Sequence, residues 1–162
     1  DDFSTTPDVL IEVLETYKKL NEEFDFGCCI YPTAPLISKK ELKKSFDLLI
    51  SKKYDCVFPI LPFSYPIQRA LRIENSEKVE MINPLNYRVR SQDLEKMYHD
   101  AGQFYWATPQ TWSEVTNLFE GMRPLLLPRW RVQDIDTEED FLVAEKKIFD
   151  YQKHFLNLNH PK

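Results

Sequence analysis

Apolar residues recur at helical spacing near the start of the chain: Val9, Leu10, Val13, Leu14, Tyr17 and Leu20, through about residue 22. Thr6 followed by Pro7 predicts the helix start, with Thr6 as N-cap and Pro7 at the first helical position. The pattern then changes. Residues 26–31 are continuously apolar, which suits a strand buried on both faces of a parallel sheet. A loop, 32–36, follows directly. Ser38 and Glu41 stand at capping-box spacing, and Leu42, Phe46, Leu49 and Ile50 make the apolar face of a second helix. Residues 55–61 read as the next buried strand. Helix, strand, loop, helix, strand is the rhythm of an α/β fold with a doubly wound, mostly parallel sheet. Ligands of such sheets sit beyond the carboxyl ends of the strands, so loop 32–36 is either part of a site or a proline-stiffened turn.

Residues 62–95 lose that rhythm. Pro62, Pro66 and Pro84 interrupt them, and Arg69, Arg72, Arg88 and Arg90 gather there, so the segment reads as an irregular lid or insertion, or as a solvated arginine surface. Residues 102–106 form a second aromatic, strand-like run, and 112–119 a short helix. Residues 123–132 form a Pro-punctuated extended stretch. It leads to Asp134 and Asp136, and then to an amphipathic helix from Glu138 to Phe155 that carries Phe141, Leu142, Ala144, Ile148 and Tyr151. The last residues read as a loose terminus.

Composition narrows the function classes. The chain has 162 residues, 43% of them hydrophobic and 14% aromatic, enough for one globular domain over 1–162. With a net charge of −5 and no basic stripe, nucleic acid is not an expected partner. Cys28, Cys29 and Cys56 match neither a disulfide framework nor a zinc spacing and read as core residues in a reducing compartment. No run is long and apolar enough for a membrane span, and the cytoplasm is the expected location.

The chemistry concentrates at Asp134 and Asp136. In an extended segment residues i and i+2 share a face, so both carboxylates can reach one hard cation. Mg²⁺ is held by one or two carboxylates plus phosphate oxygens, which suits a nucleotide-handling enzyme. The alternative is that both are turn or cap residues ahead of the last helix.

Three separated segments carry a resemblance. Tyr31-Pro32-Thr33-Ala34-Pro35-Leu36 looks like a Gln-Pro-Thr-Ser-Pro-Leu loop. Arg90-Ser91-Gln92-Asp93-Leu94, with Gly102-Gln103-Phe104-Tyr105 after it, resembles an Arg-x-Gln-Asp-Leu-Pro … Asn-Gly-Ala-Ile-Tyr block. Asp134-Ile135-Asp136 with Ala144-Glu145 looks like an Asp-Ile-Asp metal motif and its helix. Together they resemble the cytidylyltransferases that make CMP-linked nonulosonic (sialic-type) acids. Residues 62–72, 99–106 and 129–133 resemble that family's pseudaminic acid branch. Tyr31 and Ala101 stand where the sialic acid branch has a glutamine and an asparagine, which favours the pseudaminic branch.

The resemblance implies a Rossmann-like sheet of the nucleotide-diphospho-sugar transferase type and a Mg²⁺-dependent transfer from CTP to a nonulosonic acid in a homodimer. It implies Asp134 and Asp136 as catalytic metal ligands, and Tyr31, Thr33, Arg90, Gln92, Gln103 and Tyr105 as substrate-binding residues, with Arg90 on the sugar carboxylate. The middle segment would supply the dimer contact. The chain has three glycines (Gly27, Gly102, Gly121) and lacks the family's Gly-rich triphosphate loop, so it is expected to be N-terminally truncated. The alternative function is a non-catalytic remnant that binds a sugar acid or dimerises. No residue stands out as a general base; His99 is either a candidate for that role or a surface histidine.

Overall fold

The computed structural model describes residues 5–75, 77–114, 119 and 122–156. The elements run α1 (Thr6–Lys19), β1 (Gly27–Ile30), α2 (Lys39–Lys52), β2 (Cys56–Pro62), β3 (Leu71–Glu74), β4 (Lys78–Met81), β5 (Tyr98–Asp100), β6 (Phe104–Ala107), α3 (Pro109–Glu114), β7 (Arg123–Leu126) and α4 (Glu138–Leu156). Two compact units share them: the described residues of Asp1–Ile60 with Asp100–Lys162, and Leu61–His99.

The first unit is α/β. The α1 helix is capped one residue earlier than its Thr-Pro pair predicts. Thr5 is the N-cap, because Asp8 closes a reciprocal capping box with it and Pro7 is tolerated inside the first turn. Ser38 caps α2 as expected and accepts from the Glu41 N–H at 3.3 Å. The Glu41 carboxylate, however, is turned elsewhere, toward Arg131.

The sheet departs from the mostly parallel expectation. β6 pairs antiparallel with β1 (Cys29 opposite Tyr105) and with β2 (Val57 opposite Trp106), and β7 pairs parallel with β2 (Phe58 opposite Pro124). Strands β1, β2 and β7 therefore run one way and β6 runs back between β1 and β2. Apolar runs signal that a strand is buried but carry no information on its direction, which is why the reversed strand was not foreseen.

Alternation on β6 sends its side chains to two helical layers. Tyr105 and Ala107 join Cys56, Phe58 and Trp112 of α3 in a core against Leu10 and Leu14 of α1. On the opposite face Trp106 meets Phe46 of α2 at 4.7 Å between ring centroids. The three thiols behave as core groups: burial pushes Cys28 and Cys56 up to about 12 and raises Cys29. Of the helix expected over 112–119, Pro109–Glu114 is helical, while 115–118 lie outside the described residues.

The second unit contains the segment that reads as irregular. It holds a β-hairpin, β3 paired antiparallel with β4, and three 3-10 turns, at Ile67–Arg69, Pro84–Asn86 and Ser91–Asp93. Register places Leu71 opposite Met81 and Ile73 opposite Val79 on one face, with Arg72 opposite Glu80 on the other. Asn75, at φ 50°, begins the connection. Among the described residues no helix is long and apolar enough to cross a membrane.

Candidate active site

The site forms where β1 ends and β6 begins, because the two strands are antiparallel and these ends coincide. The Tyr31 N–H donates to the Gln103 carbonyl at 2.9 Å, one step past the β1–β6 ladder. The Tyr31 hydroxyl shares a hydrogen bond with Thr6 Oγ1 at 2.9 Å, and its ring lies 5.3 Å from that of Tyr105. Tyr105 is buried, and its hydroxyl donates to Asp100 Oδ2. Burial, and then the Asp100 carboxylate that accepts its proton, hold the Tyr105 phenol far above its ordinary range. It is a fixed donor. Thr33, half-buried, stands two residues beyond Tyr31, in a turn closed by the Ala34 N–H on the Tyr31 carbonyl at 3.3 Å.

The turn before β6 touches the acidic loop. Asp100 Oδ1 accepts the Gly102 N–H at 3.2 Å, and Gly102 sits in the left-handed region at φ 59°. A Cβ added at Gly102 would lie 2.6 Å from Asp134 Oδ2, so the missing side chain is the space the Asp134 carboxylate uses. Asp134 Oδ1 accepts the Ile135 N–H at 3.1 Å. Asp136, two residues on, is exposed.

Gln103 has a different position from the one expected of a sugar-contacting amide. It is 1% exposed, and its Nε2 donates to the Arg131 carbonyl at 2.8 Å, so it ties β6 to the segment ahead of Asp134. The Arg131 guanidinium donates to Glu41 Oε2 at 3.0 Å and lies over the rings of Trp130 and Tyr151, at 5.5 and 5.3 Å from their centroids. Phe104 is fully buried and serves the core.

The structure thus gathers Tyr31, Gln103 and Tyr105 at one strand end and sets Asp134 against the neighbouring Gly102, with Thr33 and Asp136 two residues from Tyr31 and Asp134. Arg90 and Gln92 belong to the second unit. Arg90 Nε pairs with Asp93 Oδ2 at 2.8 Å, both side chains exposed. Gln92 lines a hollow of about 380 Å³ with Phe63, Tyr65, Pro66 and Met97. The His99 ring packs 4.8 Å from that of Phe63. Sequence reasoning missed Asp100, Arg131 and the Arg131-paired Glu41 as parts of the scaffold; only Gly102, and Gln133 directly before Asp134, gave a signal.

Asp134 and Asp136 suit a hard divalent cation. Both are oxygen donors, one carboxylate is fixed in a cradle that a Cβ would fill, and the other is open to solvent. Among the described residues no cluster of three or more His, Cys, Asp or Glu side chains surrounds them. A metal here must complete its shell with phosphate and water oxygens, as Mg²⁺ does.

No family model matches the chain. By sequence it resembles the N-acylneuraminate and pseudaminic acid cytidylyltransferases: it is 24% identical over 154 residues to the N-acylneuraminate cytidylyltransferase of Oncorhynchus mykiss, covering 94% of this chain and 35% of that protein. Within that class the higher identities are to pseudaminic acid cytidylyltransferases. The chain is 38% identical over 146 residues to that of Campylobacter jejuni, covering 90% of this chain and 63% of the relative. It is 32% identical over 155 residues to the Helicobacter pylori protein named pseudaminic acid cytidylyltransferase and UDP-2,4-diacetamido-2,4,6-trideoxy-beta-L-altropyranose hydrolase, covering 94% of this chain and 29% of that protein. The chain therefore spans less than two thirds of the length of the curated relatives it matches.

Proposed function

We propose that the protein activates pseudaminic acid with CTP, giving the CMP-sugar and pyrophosphate. The observation that carries this is the 38% identity to a pseudaminic acid cytidylyltransferase over 90% of the chain, in a chain that brings the matched segments around Tyr31, Gln103 and Asp134 to one strand end. The similarity runs to enzymes and does not favour the non-catalytic remnant. In the proposed reaction the anomeric oxygen of the sugar acid attacks the α-phosphorus of CTP. The bond to the β-phosphate oxygen breaks, pyrophosphate leaves with the electron pair, and the hydroxyl proton passes to solvent. Such transfers need positioning and charge neutralisation more than covalent chemistry from the protein.

Asp134 and Asp136 would hold Mg²⁺, which supplies Lewis-acid charge neutralisation at the phosphate and lowers the pKa of the attacking hydroxyl. Tyr31 and Thr33 offer hydroxyls at the end of β1, Tyr105, whose buried hydroxyl is committed to Asp100, packs behind Tyr31, and Gln103 braces the segment ahead of Asp134. Arg90 is assigned to the sugar carboxylate, because a guanidinium in an exposed i,i+3 pair exchanges partners at little cost. Gln92 stands beside it as a further donor. The co-directional β1, β2 and β7, flanked by helices on both faces, are read as part of a nucleotide-diphospho-sugar transferase type sheet. Use of CTP favours a cytoplasmic enzyme.

A homodimer completes the proposal, with the β3–β4 hairpin as its contact. Leu71, Ile73 and Val79 are 60%, 71% and 63% exposed on one face, and a two-stranded hairpin is marginal without a cover. Ile73→Lys should convert the dimer to monomer in light scattering; an unchanged mass would exclude this face.

The functional test is pyrophosphate release by the full-length protein from CTP plus pseudaminic acid with Mg²⁺. Turnover that disappears in Asp134→Ala and Asp136→Ala supports the proposal. Silence with pseudaminic acid, but turnover with another sugar acid or nucleotide, would overturn it.

A further inference from the structure

The Asp134 loop is held by a side-chain relay that reaches from the matched segment 129–133 to α4. Lys147, on the third turn of α4, donates from Nζ to the Val132 carbonyl at 2.7 Å and to Gln133 Oε1 at 2.8 Å. Gln133 Nε2 then donates to the Asp134 carbonyl at 3.0 Å and to Asp140 Oδ1 at 2.9 Å. Asp140 Oδ2 in turn accepts the N–H groups of Asp136 at 3.3 Å and Thr137 at 3.0 Å, and the Thr137 hydroxyl at 2.7 Å.

The chemistry of the relay runs in one direction. An ammonium is a donor only, so Lys147 requires the oxygen end of the Gln133 amide to face it. The amide nitrogen is thereby turned toward Asp134 and Asp140. Reversing the amide would set its NH₂ against the ammonium and its oxygen against a carbonyl and a carboxylate. One lysine thus fixes one glutamine, and that glutamine holds the backbone of Asp134 directly and that of Asp136 through Asp140. Lys147 is partly buried, and both of its bonds lie within the packed segment ahead of Asp134.

We infer that Lys147 and Gln133 are positioning residues for the cation site of Asp134 and Asp136, acting on main-chain placement and touching neither carboxylate. This rests on the proposed role of those two aspartates. Groups that orient metal ligands without binding the metal commonly contribute about 10- to 100-fold to metal affinity.

The test measures Mn²⁺ binding to the full-length protein in the presence of CTP, by electron paramagnetic resonance, for wild type, Lys147→Met, Lys147→Arg, Gln133→Glu and Asp134→Ala. Lys147→Met should weaken Mn²⁺ about 10- to 100-fold, and Lys147→Arg, which keeps a donor-only cation, should restore most of the affinity. Gln133→Glu keeps an oxygen for Lys147 but places a second oxygen against the Asp134 carbonyl and Asp140. It should weaken Mn²⁺ even where its melting temperature matches wild type. In steady state Lys147→Met and Gln133→Glu should need more Mg²⁺ while keeping kcat at saturating metal. Wild-type Mn²⁺ affinity in both Lys147→Met and Gln133→Glu, with affinity lost in Asp134→Ala, would overturn the inference alone. Unchanged affinity in Asp134→Ala would overturn the metal assignment and the inference with it.

Discussion

The strand-end cluster and the second unit carry matched motifs of similar quality, yet their side chains are held in opposite ways. At the strand end nearly every polar group is tied to another element. Tyr105 is bonded to Asp100, Gln103 to the Arg131 carbonyl, Arg131 to Glu41, and Gly102 lies under Asp134. In the second unit the ion pairs lie along the surface, Arg90 with Asp93 and Arg72 with Glu80, with all four side chains exposed. Groups that must present a fixed geometry to a cation or a phosphate are built into the packed sheet and its helices. Groups that capture a flexible anionic ligand can stay in solvent and change partners. The comparison makes the first region sensitive in stability and chemistry together, and the second in binding alone.

Gly102→Ala strikes hardest at the fixed region. An alanine at φ 59° costs about 1–2 kcal/mol of backbone strain, and its Cβ would displace the Asp134 carboxylate that lies 2.6 Å away. The far end of a side chain can move, so the protein should still fold. Displacing a reacting group by about 1 Å commonly costs on the order of 10²-fold in rate. Pyrophosphate release should fall by that factor and Mn²⁺ binding should weaken, with a modest drop in melting temperature. Wild-type turnover would mean that the Gly102–Asp134 contact has no part in the chemistry.

Glu41→Ala tests whether the same rigidity reaches α2. Arg131 and Glu41 have side chains only 10% and 19% exposed, and removing one partner of such a pair leaves a charge with poor solvation. Losses of about 3 kcal/mol follow from breaking buried pairs, discounted slightly here for the partial exposure of Glu41. Urea denaturation should show a lower midpoint with an unchanged slope. A change under about 0.5 kcal/mol would place Arg131 among surface arginines, where the aromatic stacking alone holds it.

Much of this contrast was legible in the sequence, and the parts that were not share a cause. The alternation of apolar runs and capped helices locates β1, α2 and β2, and the end of β1 marks the site. Local patterns report burial and turn chemistry, whereas the direction of β6 and the Arg131–Glu41 pair are set by residues up to 90 positions apart. The hairpin was hidden for another reason. Leu-Arg-Ile-Glu and Lys-Val-Glu-Met alternate with period two, but each run is only four residues and lies among prolines that suggest irregular chain. Gln103 shows the limit of motif reading: its identity marked it, and only its burial revealed that it braces the loop.

Arg90→Ala sharpens the second half of the comparison. The pair with Asp93 is exposed and worth at most about 1 kcal/mol, so melting should barely change. A lost charge-assisted contact to the sugar carboxylate should raise the KM for that substrate about tenfold and leave the KM for CTP alone. Arg90→Lys, which keeps the charge but not the planar fork, should fall between. An unchanged sugar KM in both would move the carboxylate contact to another cation.

The smallest effect concerns how the fixed region begins. Thr5 donates to Asp8 Oδ2 from its N–H at 2.8 Å and from its hydroxyl at 2.5 Å, and these bonds hold the Asp8 carboxyl below its ordinary value, the side-chain bond most. A carboxyl depressed in the folded state stabilises it above the unfolded pKa, near 3.8, and that contribution is lost as pH falls through the folded value. Acid should therefore loosen the first turn of α1 below about pH 4, ahead of any global loss of helix. Because Thr6, the next residue, bonds the Tyr31 hydroxyl at 2.9 Å, the loosening should be felt at Tyr31. Amide exchange of the first α1 turn, followed between pH 5 and pH 3, reads it directly, and Asp8→Asn should flatten the dependence. Because the groups involved are exposed, the change is small beside those at Gly102 and Glu41. If exchange at Tyr31 stays constant while the α1 turn opens, the helix start is a solvated cap with no hold on the strand end.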